Sequence, residues 1–297
     1  MANWVIAGAY RRLVVPPRSR LLLAVLALAA SAGGAWAMSR PPAPCQGAPP
    51  SDIVVEDGQR IGYQFCGPSF ADGDLEQAVY AENLQASRLA GNGRLVVTML
   101  LVTALTNSPQ NSRSIVAEQE GLAGAYAAQM RINSTAGNLP LVRIAVANAG
   151  YAASHADTLA HRVRALVDAD PTVVAAVVTL DSIDVVHQGL ARLTGTGLAM
   201  ASPTMSADGF GAGLPTFLQL TASNSDQAQL AFDYATRVAP RAAIVVIRPD
   251  PDTGDRYTAT LSSAMAAAGP GVTEVRWAPA QLSLSSICAG AAPRPVV

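Results

Sequence analysis

A chain of 297 residues with 50% hydrophobic and 14% charged side chains has material for a large core and two domains of ordinary size, which excludes a disordered polypeptide. A formal net charge of −1 and 5% aromatics provide neither a broad electrostatic footprint nor a stacking surface, so no nucleic-acid partner is expected. No lysine occurs anywhere, which removes the Walker-type phosphate loop and every Schiff-base or lysine-nucleophile mechanism.

Residues 21–38 run from Leu21 to Met38 without a charge. As a helix they would extend roughly 27 Å, close to the ~30 Å hydrocarbon core of a bilayer. Arg11, Arg12, Arg18 and Arg20 precede this span, so residues 1–20 are expected in the cytoplasm and everything after Met38 outside it. Two outcomes stay open. Ala35-Trp36-Ala37 fits a signal-peptidase site, giving a secreted product, whereas the long leading segment with Pro16-Pro17 fits an uncleaved anchor in the cell membrane.

A linker and a small prefix are expected over residues 39–93. Ile53-Val54-Val55 and Arg60 to Phe65 predict a hairpin with Asp57-Gly58 at its turn. Cys45 and Cys66 enclose it. In an oxidising compartment their pairing would stabilise so small an element by ~3 kcal/mol, the other possibility being two free thiols. Cys288 is left over, and three cysteines without ligand spacing predict no metal site.

From about residue 94 strands and helices alternate. Apolar runs at Leu95–Thr106, Val142–Ala147, Val173–Leu180 and Gly197–Ala201 read as strands. Between them, Ser114–Asn133, Asp157–Asp168 and Val185–Leu193 read as helices. After a Gly/Pro/Ser-rich pause at 202–215, strands are expected at 216–221, 242–247 and 272–277, and helices at 226–238, 255–268 and 282–289. Another strand opens at 294–297. Strands apolar throughout and linked by amphipathic helices predict an α/β fold whose parallel sheet is covered on both faces. The expected units are a first lobe at 94–210 and a partial second lobe at 211–297, hinged near 203–215.

Catalytic motifs are missing from the pattern. His155 and His161 are not spaced as a metal pair on one helical face, and His187 stands apart. Gly209-Phe210-Gly211-Ala212-Gly213 imitates a dinucleotide fingerprint but precedes a strand, the wrong context for that site. Neither G-x-S-x-G nor H-E-x-x-H occurs. No catalytic residue, metal or cofactor is therefore expected, and the chain is read as a non-enzyme. The sequon at Asn133-Ser134-Thr135 is expected to be structural.

In an open parallel sheet, ligands bind outside the carboxyl ends of the strands and against helix starts. Those ends carry Thr106, Asn107 and Ser108; Asp181 and Ser182; and Ser202, Thr204 and Ser206. Hydroxyls and backbone N–H groups there suit the carboxylate of an amino acid, although the same residue types also serve as caps and turns.

The stretch Val142 to Ala212 resembles the first lobe of type I periplasmic solute-binding proteins, the branched-chain amino-acid (leucine-binding) kind. The resemblance rests on Asp170-Pro171-Thr172 leading into Val173–Val178 and on Gly197-Leu198-Ala199-Met200-Ala201-Ser202-Pro203-Thr204. Downstream, Phe217-Leu218-Gln219-Leu220, Asn224-Ser225-Asp226-Gln227, Ala242–Arg248 and Asp252-Thr253-Gly254 are similar to that family's crossing strand, helix start and second-lobe loop. The likeness covers about two-thirds of the chain and implies a solute-binding component of an ABC transporter, with a permease as partner and a small polar solute, such as an amino acid, as ligand. It implies ligand contacts at Ser182 and at Met205 and Ser206 of the Ser-Pro-x-x-[Ser/Thr] loop, while Asn107, Ser202 and Thr204 are candidates through their places at the strand ends. Thr253 stands where the family often has tyrosine, Asn148 where an acidic residue is common, and the second lobe is expected to be unfinished. These departures keep a second reading open, that of a membrane-anchored sensor or interaction module retaining the fold without transport.

Overall fold

Asp57 and Gly58 both adopt left-handed conformations (φ 49° and 75°), the type I′ geometry whose twist matches that of flanking strands. From this turn β1 (Asp52–Glu56) and β2 (Gln59–Gln64) diverge as an antiparallel pair, with Glu56 opposite Gln59 and Asp52 opposite Tyr63. The computed structural model describes residues 48–71, 73–91, 93–107, 113–135, 139–240, 244–249, 255–269 and 271–277, all within one unit, Ala43–Val297. The expected membrane span at 21–38, Cys45, Ser108, Thr253, Cys288, the helix at 282–289 and the strand at 294–297 lie outside the described residues. Among the described residues no helix is long and apolar enough to cross a membrane.

The segment before β3 contributes to the main sheet. Its hairpin joins the main sheet, Gly62 pairing with Asn148 and Gln64 with Val146. It also contains a helix that apolar periodicity does not reveal, α1 (Asp74–Ala90). The inward face of α1 carries Val79, Tyr80 and Leu84, but also Glu76 and Asn83, so polar residues interrupt the apolar stripe. Glu76 accepts hydrogen bonds from the Phe70 and Ala71 N–H groups and from the Tyr80 hydroxyl, which fastens the approach to the helix.

The alternating region follows its pattern closely. It builds β3 (Val96–Thr103), α2 (Arg113–Ser134), β4 (Leu141–Asn148), α3 (Ala156–Ala169), β5 (Val173–Val178), α4 (Asp184–Arg192), β6 (Ala199–Ser202) and β7 (Phe217–Gln219). Strand order is β1-β2-β4-β3-β5-β6-β7, and from β4 to β7 every pairing is parallel. One apolar core gathers Leu100, Val102, Leu159, Val163, Val178 and Leu190, between the sheet and α3 and α4. The other gathers Val79, Tyr80, Leu101, Leu122 and Ile144, under α1 and α2. Gly189 lets α4 press against α3, since a Cβ there would sit 2.8 Å from the Ala156 carbonyl oxygen.

Strand β7 pairs with β6, Met200 opposite Phe217 and Ser202 opposite Gln219, and closes the sheet order on that side. Beyond it come α5 (Asn224–Val238), β8 (Ile244–Pro249), α6 (Arg256–Ala268) and β9 (Val272–Trp277). Strands β8 and β9 form their own parallel pair, and α6 packs on both of them and on α5.

Strand β4 has a full partner on one side, β3 from Leu141 to Asn148, but β2 reaches only its carboxyl half on the other. Side-chain amides complete that second edge. Asn83 accepts from Ile144 N–H (2.8 Å) and donates to the Ile144 carbonyl (2.8 Å) and to Phe65 O (3.0 Å). Asn133 accepts from Val142 N–H (2.7 Å) and donates to the Val142 carbonyl (3.0 Å), which gives the sequon asparagine a structural role. Edge-facing groups recur at every second residue of a strand, so two amides suffice for two positions. Replacing Asn83 with alanine leaves buried donors and acceptors without partners, at ~1–3 kcal/mol for each unsatisfied group. We expect Asn83→Ala to lower unfolding free energy by about 2–4 kcal/mol at unchanged denaturant slope, and exposed Gln85→Ala to stay within about 0.5 kcal/mol.

Candidate functional site

The chain leaves β3 through α2 to reach β4 on one side, then crosses back through α3 to reach β5 on the other. Loops after β3 and β5 therefore depart in opposite directions, and the crevice between their strand ends is the topological switch point of the sheet. Three loops border it: Ala104–Asn107 after β3, Thr179–Ile183 after β5, and Pro203–Ala207 after β6.

The β3 strand ends at Thr103, three residues short of the apolar run's end at Thr106. Past it the backbone no longer faces a strand. Asn148 at the end of β4 accepts from Leu105 N–H (2.8 Å) and Gly150 N–H (3.1 Å). The Asn148 amide also donates to Arg60 O (2.8 Å) and to the Thr106 hydroxyl (2.9 Å). An acidic side chain could accept but not donate, so asparagine at this position serves both loop ends.

Sequence patterns pointed to six ligand contacts, and the structure separates them. Ser182, Ser202, Thr204, Met205 and Ser206 gather where the β5 and β6 loops meet. Thr204 is exposed and donates to Leu180 O (3.2 Å), while the buried Ser182 hydroxyl accepts from Ala207 N–H (3.4 Å). Ser202 is buried, and its oxygen accepts from Met205 N–H (3.1 Å) and Thr204 N–H (3.3 Å), closing its own turn. Ser206 is also buried, and its carbonyl receives Asn224 N–H (2.8 Å). Asn107 lies exposed on the β3 loop. Met205 is fully buried in the core shared with Phe210 and Leu214, because the turn closed by Ser202 directs it inward. Its side chain is packing material and is not presented to the crevice.

Carboxylates complete the crevice, and two of them escaped the sequence analysis. Glu118 stands on the inner stripe of α2 and accepts from the hydroxyls of Thr103 and Thr179 (2.8 Å to the latter), bridging the ends of β3 and β5. Burial pushes its carboxyl above the ordinary range, an effect opposed by those hydroxyls and reinforced by the Asp181 charge. Asp181, at the end of β5, is likewise raised, by desolvation first and then by Asp255 of the second lobe. Glu118 was legible in principle: it shares a helical stripe with Leu122, Ala125 and Gln129, where a charge has no reason to sit unless it is bonded. Asp255 caps α6, accepting from Thr258 N–H (3.2 Å).

The second lobe touches the rim of this crevice. Ile183 forms an isolated antiparallel bridge with Asp255. Next to it, Arg256 pairs with Asp184 and lies 5.7 Å from the Phe210 ring centre. The Gly/Pro/Ser-rich stretch is fastened to both helices of the second lobe: Asp208 accepts from the Ser225 hydroxyl (2.7 Å), and Asp208 N–H reaches the Thr260 hydroxyl (3.3 Å). Buried Asn224 donates to Tyr257 O (2.8 Å) and to the Thr260 hydroxyl (2.7 Å).

The histidines are engaged with carboxylates, an amide and a backbone carbonyl. His155 contacts Glu56, Asp57 and Gln59; His161 contacts Asp157; and His187 contacts the Ala212 carbonyl. Among the described residues no group of three or more His, Cys, Asp or Glu could hold a metal ion.

No protein-family model matches the chain, and no curated protein matches it in sequence. Solved structures do. The isoleucine complex of LivJ, a branched-chain amino acid transporter substrate binding protein from Streptococcus pneumoniae, superposes with a TM-score of 0.50 at 14% identity, over 67% of this chain and 54% of that one. The leucine binding protein LivK from Thermotoga maritima gives 0.49 at 15% identity, over 66% and 53%. A periplasmic binding protein from Burkholderia mallei gives 0.48 at 15% identity, over 66% and 50%. The chain thus spans about half the length of these structures, and its mixed α/β architecture, a mostly parallel sheet between two helical layers, is the fold of type I periplasmic binding proteins.

Proposed function

We propose that the chain binds a small polar solute in the crevice at the carboxyl ends of β3, β5 and β6, as a substrate-binding component working with an ABC-transporter permease. The observation that carries this reading is the switch point itself, bordered by hydroxyls from two adjoining loops and facing the second lobe across the Ile183–Asp255 bridge. Within that reading, an amino acid is the preferred solute class. Thr204 and Ser182 supply hydroxyls for its carboxylate, and Asp181 supplies a negative charge for its ammonium group. The reading is of binding: the histidine side chains are engaged with carboxylates, the Gln59 amide and the Ala212 carbonyl.

A second reading, the anchored sensor or interaction module without transport, draws on a specific observation. The Ser202 hydroxyl is taken by its own loop and Met205 is sealed in the core, which leaves fewer free groups for a solute than the loop sequence suggests. Thermal unfolding in the presence of an amino-acid panel separates the two. Solute at 100 times its Kd stabilises by ~2.7 kcal/mol. Thr204→Val, which removes one hydroxyl, is expected to weaken binding about tenfold. A flat response to every amino acid and small organic acid would favour the sensor.

The same reading places residues 1–20 in the cytoplasm, with 21–38 as membrane anchor or cleaved signal and the remainder exported, on the arginine asymmetry alone. A reporter fused after residue 60 should be active only outside the cytoplasm, and activity inside would reverse the orientation. In that compartment Cys45 is proposed to pair with Cys66. This is supported by Cys66 being a bonded half of a disulfide and not a titrating thiol. Peptide mapping without reductant is expected to recover a 45–66 linkage, and a linkage to Cys288 would disprove it.

A further inference from the structure

Packing between α2 and the sheet is incomplete. Protein interiors leave few voids larger than a water molecule, yet a cavity of about 100 Å³ lies here, against the ~10–15 Å³ that one water needs. Met99 of β3, Ile144 of β4 and Val177 of β5 form its floor, and Ala125, Gln129 and Ile132 of α2 form its roof. The short side chain of Ala125, one turn before Gln129 on the inner stripe of α2, leaves the space open. This cavity is separate from the crevice. Met99 pairs with Ile144 in the middle of the β3–β4 ladder, whereas the crevice opens past Thr103.

One polar atom stands among these aliphatic walls without a partner. Gln129 is buried, and its amide nitrogen donates to Asn83 Oδ1 (2.8 Å) and to the Val142 carbonyl (3.2 Å). Both of those oxygens accept from other groups as well, Asn83 Oδ1 from Ile144 N–H and the Val142 carbonyl from Asn133. Two acceptors facing the amide nitrogen fix which way the group is turned, since reversal would set oxygen against oxygen. The Gln129 Oε1 atom is left buried with no hydrogen bond. A buried acceptor costs free energy until a donor reaches it. Water is a poor donor for this place, because it needs two to four polar partners and the neighbouring oxygens are already engaged.

We propose that the cavity is a binding site for a small aliphatic alcohol, whose hydroxyl donates to Gln129 Oε1 while its hydrocarbon part lies against Met99, Ile132 and Val177. Size follows from volume. Benzene fills an apolar cavity of ~150 Å³, which scales to about four or five non-hydrogen atoms here. Charge is excluded, because no ionisable side chain lines the cavity to pair with a carboxylate, a phosphate or an ammonium group. Exposed Ala128 also belongs to the lining and gives access from solvent beside α2. The inference goes beyond the solute reading and does not depend on it.

Methyl NMR on the full chain, with isobutanol as the probe, tests the site. The Met99, Ile132 and Val177 methyl signals should shift saturably, with a Kd on the order of 1 mM for so few atoms. Methyl isopropyl ether, an isomer of the alcohol without a donor, should bind about tenfold more weakly, since it leaves Oε1 unpaired. Ala125→Leu, which fills the cavity, should abolish the shifts. If that variant does not fold, the comparison of alcohol with ether on the wild-type chain decides alone. Shifts that never saturate, equal affinity for the two isomers, or shifts that persist in folded Ala125→Leu overturn the proposal. So does a cavity that holds water only, seen as a water cross-peak to the Gln129 amide protons that the alcohol leaves unchanged. An amino acid in the crevice would move the Thr204 signals instead, so the two sites stand or fall separately.

Discussion

Every peptide group of β4 has to be satisfied inside a layered core, and most of the first lobe is arranged around that requirement. An unpaired buried N–H or C=O costs as much as a lost hydrogen bond, so a strand with half a partner on one side needs other donors and acceptors. β2 supplies them from Val146 onward, and Asn83 and Asn133 supply them at Ile144 and Val142. At the carboxyl end Asn148 turns the same chemistry outward, to the loops after β3 and β4. The amino end is tied by Arg143, which donates to the hydroxyls of Thr98 and Thr172 (3.1 Å each) and so links β4 to β3 and to the residue preceding β5.

This arrangement explains why α1 sits where it does. Its inner face is partly polar because it must present Asn83 to β4 and Glu76 to the preceding loop, while Val79, Tyr80 and Leu84 supply the apolar contact. Gln129 of α2 bonds to Asn83 (2.8 Å), so the two helices on this face are joined through the same amide that closes the strand edge. Position and packing are coupled: moving α1 along β4 would sacrifice both Asn83–Ile144 hydrogen bonds at once, whereas sliding a purely apolar helix would sacrifice only area.

At the opposite end of the strands the polar groups are divided between structure and exposure. Ser202 and Ser182 have oxygens committed to backbone amides, Thr204 is exposed, and the carboxylates Glu118 and Asp181 stand at the ends of β3 and β5. The second lobe is tethered here by polar contacts through Asp208, Asn224, Thr260 and Arg256. On α5, by contrast, Leu230, Tyr234 and Val238 fall at successive fourth positions and remain exposed. Polar tethers with exposed apolar residues beside them are the composition of a joint that opens more readily than either core.

The sequence by itself determined the alternating elements and the class of fold. Runs such as Val173–Val178 and the helical spacing of Ser114–Asn133 are local signals, set by side-chain period and burial, and Asp57-Gly58 specifies its turn through left-handed φ. Patterns of this kind survive without knowledge of neighbours. Only the tertiary structure decided what the polar residues do. Asn83 and Glu118 read locally as interruptions of helical stripes, because their partners at Ile144 and Thr179 lie 61 residues distant in both cases. The same holds for Met205, which belongs by sequence to a ligand loop and by packing to the core, since the turn closed by Ser202 determines which way it points. Hydrophobic period is written along the chain, but hydrogen-bond complementarity exists only between segments that folding has brought together.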